Sequence, residues 1–441
     1  MNKLKFLCRK LFSPYPLEEV FTPSSSAELT FVRRTPIENK FHNQYKIHGK
    51  QFVVYGHSGS GKTTFLNRYF KENNISAVTI HCDANMSFQQ IVLNSFDQLG
   101  TVFQKSGSLS ETTGRKSNNI AEFCGLKSQG EVSASQTRVS GFALVVEPQT
   151  TPQRLAEALG KANKILVIED FHKLEKEEKK KLSDLIKVFV DQANHYPNLK
   201  VICIGAVDTA REIVELDNNL KHRVCECEIP LLTDDEIRMI VTRGCELLNV
   251  SMSGNLVDRI VNYSNQLGAM AHQLSYDVCA GEGITKTQLV RQNLTGNHFE
   301  YAVRSYIDAR KDTLLEIYDR AVKDSLGWYI LRTFCNAPQS KKTLKRISKK
   351  VNKPEHPFTD NEIALKLVEL SSADIGILRS DNNGYYYTVS DPFWGAYIKM
   401  KIAQEQADNT KANRSRSLQL QNQNEVEAML LKILLENYNA D

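Results

Sequence analysis

The sequence predicts an α/β protein. A parallel sheet with helical crossovers comes first, then a helical region, then a small domain of three helices and a hairpin. Three observations predict this. From Gln51 onward, short apolar runs alternate with amphipathic segments, as strands joined by crossover helices do. A glycine-rich turn, Gly56 to Thr63, joins the first of these strands to its helix. After Ser325 the pattern changes to short helices and a hairpin whose turn contains Asn383-Gly384.

Gln51–Tyr55 reads as a buried strand and Lys62–Lys71 as a helix; Ala77–Cys82 is a second strand and Phe88–Leu99 an amphipathic helix. The rhythm breaks between Lys105 and Thr137, which is rich in Gly, Ser and Thr and reads as an insertion. A short hairpin over Glu131–Ser135 and Gly141–Val146 is expected to close it. Thr151-Pro152 starts a helix with proline at its first position, and Gly160 is its expected stop. The strand Ile165–Ile168, a charged helix, and the strands Val201–Ile204 and Val224–Ile229 follow. The charged stretch Lys173–Asp184 reads as a solvated face with Glu175/Lys179 and Glu177/Lys181 pairs. Thr233 to Glu236 is a capping box that opens a helical region reaching about Cys279; further helices cover His298–Lys323. Past Ile402 a polar linker is expected, then a helix over Glu425–Tyr438 with Met429, Leu430, Ile433 and Leu434 in one stripe.

Composition narrows the class. The chain has 441 residues, 41% hydrophobic and 24% charged, with a net charge of +5. That length suits about three domains and a sizeable core, so disulfide miniproteins and disordered chains are excluded. The nine cysteines have no CxxC spacing, which argues against a zinc ribbon or a disulfide framework. Cys225 and Cys227 alternate on one face of a strand and read as core. No apolar stretch approaches the ~18 residues that span a bilayer. At the N-terminus, Arg9 and Lys10 interrupt the apolar run, so a signal peptide is not expected. A soluble cytoplasmic protein is expected.

Gly56-His57-Ser58-Gly59-Ser60-Gly61-Lys62-Thr63 matches G-x-x-x-x-G-K-[ST], the phosphate-binding loop. Glycines let main-chain N–H groups turn inward around phosphates, and the helix that follows adds the positive end of its dipole. Lys62 is placed to neutralise phosphates, Thr63 to hold Mg²⁺ through its hydroxyl, and Thr64 continues the loop into the helix. Ile165-Leu166-Val167-Ile168-Glu169-Asp170 is a buried strand ending in two carboxylates at the edge where parallel sheets bind ligands. One acid is needed near the metal and one to orient or deprotonate water. Position assigns Glu169 to the metal side and Asp170 to catalysis, and the exchange of these roles stays open. Asp208 or Thr209, after the strand Val201–Ile204, are candidates to sense the γ-phosphate. Arg223 is a candidate finger across a subunit interface or a surface ion pair.

Together these pieces resemble an AAA+/STAND-type P-loop ATPase, nearest to bacterial STAND-like or origin-recognition-like ATPases with a C-terminal winged helix. Phe31-Val32-Arg33-Arg34 resembles the adenine-contacting segment of those families, with arginine at position 33 where glycine is usual. Glu169-Asp170-Phe171-His172, Ile204-Gly205 and Pro230 also fit, as does Tyr387–Trp394 at the end of a winged helix. The resemblance implies an α/β P-loop NTPase sheet of order 5-1-4-3-2, an α-helical lid and a winged-helix domain. It implies ATP and Mg²⁺ as cofactors and an adenine contact at Arg34. It also places Gly268–His272 where a sensor arginine or a glycine-proline pair often stands; neither is present, and His272 reads either as reaching the nucleotide or as a core or lid-packing residue. The expected domains are an extension over 1–30, the ATPase core 31–232 with its insertion at about 105–148, and the lid 233–290. Connecting helices over 291–324, the winged helix 325–402 and the terminal segment 403–441 complete them.

Lys341, Lys342, Lys345, Arg346, Lys349, Lys350 and Lys353 give the second helix of the small domain a basic stripe suited to phosphates. The third helix, Thr359–Ala373, carries Asp360, Glu362 and Glu369 against Lys366 alone, which disfavours base reading in a major groove. The first functional reading is therefore an ATP-hydrolysing molecular switch. It is an oligomerising signalling or defence ATPase with a separate effector or sensor protein, its turnover slow or partner-stimulated. A nucleic-acid-bound loader or transposition-type ATPase is the second, and a nucleotide-holding scaffold with little turnover the third.

Overall fold

The computed structural model describes residues 13–100, 150–206, 220–352, 357–381 and 383–410. Expectations for residues 1–12, the 105–148 insertion with its hairpin, Asp208, Thr209, Lys353 and the helix over Glu425–Tyr438 lie outside the described residues. The chain divides into two compact units, Arg33–Pro230 and a second made of Met1–Val32 with Leu231–Asp441.

In the first unit, helix α1 (Thr35–Tyr45) precedes β1 (Gln51–Tyr55), α2 (Lys62–Glu72), β2 (Ser76–His81) and α3 (Phe88–Gln98). Then come α4 (Pro152–Lys161), β3 (Lys164–Glu169), α5 (Lys176–Gln192), β4 (Val201–Gly205) and β5 (Val224–Glu228). The five strands form one parallel sheet in the order β2-β3-β4-β1-β5, the expected order read from the other edge. Alternate residues of a strand go to opposite faces, and here both faces are covered. Val53, Leu166, Ile168 and Cys203 pack with Ile91, Leu155 and Leu182 from the helices on one side. Phe52, Val54, Val167, Ile202, Cys225 and Cys227 pack with Phe41, Phe65 and Leu66 on the other. Two-sided burial is why these strands read as continuous apolar runs. Cys225 and Cys227 are core thiols, and every described cysteine is free.

Two local expectations change. Gly160 does not stop α4, which runs to Lys161; Asn163, at φ 49°, supplies the left-handed residue just beyond the helix. Gly160 instead lets the helix approach Tyr196, whose ring a Cβ would strike. On α5, Lys181 pairs with Glu178 at 2.7 Å rather than with Glu177. Glu178 also accepts the Phe88 N–H at the start of α3.

The second unit holds α6 (Asp234–Leu248), β6 (Val250–Met252), α7 (Gly254–Ser264), α8 (Gly268–Gly281), β7 (Gln292–Leu294) and α9 (Asn297–Asp308). A wide turn at Lys311–Leu315 leads to α10 (Glu316–Ala321). The expected capping box opens α6: Thr233 Oγ1 accepts the Glu236 N–H and Glu236 accepts the Thr233 N–H. The two-stranded parallel sheet β6-β7 has no counterpart in the sequence reading. Residues 15–21 form a strap on these helices. The Tyr15 and Thr287 main chains hydrogen-bond, Leu17 N–H reaches Thr285 O at 2.9 Å, and Phe21 fills the space that Gly244 leaves.

The same unit continues as α11 (Ser325–Phe334), β8 (Lys342–Thr343), α12 (Leu344–Val351), α13 (Asp360–Leu370), β9 (Leu378–Ser380) and β10 (Tyr386–Val389). These are the three helices and hairpin expected, with one short strand added; the sheet order is β8-β10-β9. A last helix, α14, covers 392–410. The polar linker expected from 403 is thus helical to 410, and Glu405 explains part of that. Its carboxylate accepts Trp328 Nε1–H at 2.9 Å and Tyr318 O–H at 3.2 Å, so a polar residue is held on the helical body.

Candidate functional site

The C-terminal ends of the parallel strands bring the candidate residues together. Tyr55 ends β1, and Gly56 turns the chain at φ 156°. Gly59 and Gly61 take φ 74° and 89°, where a side chain would be strained. A Cβ at Gly56 would strike the Ile229 carbonyl, whereas at Gly61 it would meet nothing within 4 Å. Gly56 is therefore required by close packing of the loop on β5. Gly61 is required by backbone conformation alone, and its outer side is open to a ligand. Phe65 N–H closes the first turn of α2 on Gly61 O at 2.8 Å.

Lys62 curls over the loop and donates to Gly56 O and His57 O, both at 2.9 Å. Burial pushes its ammonium below the usual lysine range, while the nearby Asp170 and Glu169 pull it back up. Ser60 is 4% exposed and its hydroxyl has no hydrogen-bond partner. A buried orphan hydroxyl costs free energy; it lies on the inner side of the loop, where a Cβ on Gly56 would come within 3.0 Å of it. His57 and Thr64 are half-buried and Ser58 is exposed on the crown of the loop.

β3 lies two strands away from β1, with β4 between. Its last residue, Glu169, is 3.4 Å from Thr63 Oγ1 through Oε1 and 3.6 Å from His81 Nδ1 through Oε2. Strand register explains the second contact, since His81 at the end of β2 pairs with Glu169. Asp170 takes φ 57° and turns away from the strand, and its carboxylate accepts from Lys173 Nζ at 2.7 Å. That hydrogen bond and charge raise the Lys173 ammonium above its usual value. The two acids are thus distinguished: Glu169 faces the loop threonine, and Asp170 is tied to a lysine three residues on. His81 and Lys173 were not singled out in the sequence. Only the β2–β3 register and the i,i+3 spacing could have found them. Thr63 and Glu169 bring two oxygen donors within 3.4 Å of each other at the strand ends, the donor type that a hard divalent cation takes. Among the described residues, no cluster of three or more His, Cys, Asp or Glu could hold a metal alone.

Arg34 caps α1, with its guanidinium on Pro230 O at 2.7 Å. Arg33, in the place of the usual glycine, pairs with Glu38 and Glu72 at 3.1 and 2.6 Å. Arg223 lies at the other end of the sheet from the loop of its own chain, where its carbonyl accepts the Gln51 N–H. Its guanidinium is 3.6 Å from Asp191, and both side chains are largely exposed. His272 lies inside the second unit, 3% exposed; its Nδ1 accepts the Thr22 N–H at 3.0 Å. Burial pushes its pKa down to about 4. Of the basic stripe, Lys341, Lys345, Arg346, Lys349 and Lys350 are exposed. Lys342 is buried, with its ammonium on Ala337 O and over the Phe334 ring.

Residues 47–213 match the AAA domain family. No curated protein matches the sequence. Among solved structures, the chain is similar to a Walker-type ATPase of Pyrococcus abyssi, at 12% identity over 84% of this chain and 100% of that one, TM-score 0.49. It is similar to the ORC2 protein of Aeropyrum pernix in ADPNP and ADP complexes, at 12% identity, 90% and 100% coverage and TM-score 0.47. It is also similar to the RuvB Holliday junction branch migration motor of Thermotoga maritima, at 12% identity, 82% and 94% coverage and TM-score 0.39. At these values the three likenesses carry no weight beyond the AAA match. Among the described residues no helix is long and apolar enough to cross a membrane.

Proposed function

We propose that this chain, which carries an AAA domain over residues 47–213, binds ATP with Mg²⁺ and hydrolyses it as a molecular switch. The loop that sets the Lys62 ammonium over its own carbonyls and the Thr63 hydroxyl 3.4 Å from Glu169, with open space at Gly61, is the observation that carries this reading. The main-chain N–H groups of the loop and the N-terminus of α2 would hold the phosphates. Lys62 would exchange its two carbonyl partners for phosphate oxygens. Thr63 and Glu169 would hold Mg²⁺, which supplies charge neutralisation of the phosphates. Asp170 would orient and deprotonate the attacking water once Lys173 releases it. Arg34 is the candidate neighbour of the adenine. Asp208 and Thr209 are candidate γ-phosphate sensors, and Arg223 a finger toward a second subunit; His272 packs its own unit. Homo-oligomerisation and a separate effector protein would make the switch a signalling device.

The test is ATP binding and turnover by the full chain, wild type against Lys62→Ala, with particle mass measured in ATP and ADP. Loss of binding in the variant is expected; unchanged binding would refute the site. A second reading, a nucleic-acid-bound AAA+ ATPase acting through a winged helix, is favoured by one observation. Lys341, Lys345, Arg346, Lys349 and Lys350 are exposed, with no ion pair among the described residues. Its marks are DNA- or RNA-stimulated turnover and binding that falls steeply with salt, by a log–log slope of about −0.9 per phosphate contacted.

A further inference from the structure

The two outer helices of the small domain carry opposite surfaces. On α12, Lys345, Arg346, Lys349 and Lys350 are exposed, and Lys341 stands just before β8. On α13, Leu365 is 73% and Val368 64% exposed, an unusual state for two aliphatic residues one helical turn apart. Asp360, Glu362, Glu369 and Asp374 are exposed on the same segment, Asp360 accepting from the Ser348 hydroxyl and Glu362 from the Thr359 N–H and hydroxyl. The single cation of α13, Lys366, is buried and paired with Asp324 and Glu369 at 2.8 and 2.9 Å, so its one charge is outnumbered by the acids beside it.

Within one molecule these surfaces cannot meet. Ile347 and Val351 of α12 and Ile363 and Leu367 of α13 point into their shared core, each 1% exposed or less. Ser348 Oγ donates to Asp360 Oδ1 at 2.6 Å and fixes the pair. The charged face of α12 and the apolar face of α13 therefore look outward. Nucleic acid suits the first and is repelled by the second.

We propose that the basic face of α12 in one molecule docks on the acid-rimmed apolar face of α13 in a second copy of this chain, head to tail. Charge complementarity selects this occupant. Glu362 and Glu369 stand about 10 Å apart along α13, both on the Leu365 edge of the aliphatic pair. The lysine and arginine stems of α12 are apolar and cover such a pair while their heads reach the acids at its rim. Different surfaces meet, so the contact is heterologous and extends to chains or closes to a ring. Two exposed aliphatics make a small contact, so association is concentration-dependent, with Kd on the order of 10 µM. None of this rests on the nucleotide reading.

The experiment is sedimentation velocity of the full chain without nucleotide, over a concentration series and at low and high salt. Wild type is expected to associate, less so at high salt. Leu365→Glu, and separately the pairs Glu362→Lys/Glu369→Lys and Lys345→Glu/Lys349→Glu, are expected to raise Kd at least about tenfold. Mixing the two charge-reversed pairs is expected to restore association, which loss of folding cannot imitate. A wild-type chain that stays monomeric overturns the proposal, as does association that ignores these substitutions or fails to return on mixing. If the α12 pair abolishes nucleic-acid binding without changing the mass, the face belongs to nucleic acid and the proposal also falls.

Discussion

His272 offers a quantitative check on how the second unit is built. Its ring is 3% exposed, accepts the Thr22 N–H through Nδ1, and burial pushes its pKa down from 6.5 to about 4. The neutral imidazole is therefore the folded form, and the lowered value sets the sign. Its contribution is fully present above pH 6.5 and is lost as pH falls toward 4. A displacement of that size is worth about 3 kcal/mol when complete, and about 2 kcal/mol by pH 5. His272→Asn keeps an acceptor for Thr22 N–H but cannot titrate. Urea unfolding of both proteins between pH 7.5 and 4.5 is the assay. At pH 7.5 the variant should be weaker through lost packing, and the gap should narrow by 2 kcal/mol or more as pH falls, again on the order of magnitude set by linkage. A pH-independent gap would refute the reasoning, because it would mean a ring that accepts a proton freely in the folded protein.

Other substitutions address the site. Lys62→Ala should remove ATP binding measured by calorimetry, since the lysine is the only cation within the loop itself. Asp170→Asn should retain ATP binding and lower single-turnover hydrolysis by about 10²-fold, on general-base grounds; if Glu169→Gln alone does this, the two acids exchange roles. Lys173→Met should free Asp170 and raise turnover if the ion pair restrains it; a fall would show that Lys173 positions the acid instead. Gly160→Ala should gain up to about 1 kcal/mol of helix propensity yet lower the unfolding midpoint, because the added methyl strikes the Tyr196 ring.

The parts of the site legible in the sequence are those whose chemistry demands a local pattern. Glycines at 56, 59 and 61 serve a turn whose φ values side chains resist, and Lys62 and Thr63 open the next helix, so spacing alone finds them. Glu169 is legible because a buried strand ends there. The environments of these residues are set across the fold instead. His81 meets Glu169 only through strand register, and Lys173 meets Asp170 because the acid leaves the strand at φ 57°. The same holds for Gly160: it reads as a stop, but Tyr196 on a distant turn makes it a contact. Asn163, which does take the left-handed conformation, gives a weaker local signal than glycine.

Charge shows how a total can conceal a surface. The net charge of +5 says little about partners, and the basic stripe near Lys345 reads in sequence either as a non-specific phosphate contact or as a contact with the ATPase core of the same chain. Burial changes both helices. Lys342 leaves the stripe for the core, and Lys366 turns inward between Asp324 and Glu369, where acids outnumber it, so α13 presents an acidic excess and bare aliphatics outward. A helix so dressed opposes a major groove on charge and opposes water through Leu365 and Val368. Its stable neighbour must be apolar along its centre and basic along the edge that meets Glu362 and Glu369. Lysine and arginine stems on α12 of another copy have that character. For this reason the oligomeric state should respond to α13 substitutions even if nucleotide turnover is left untouched.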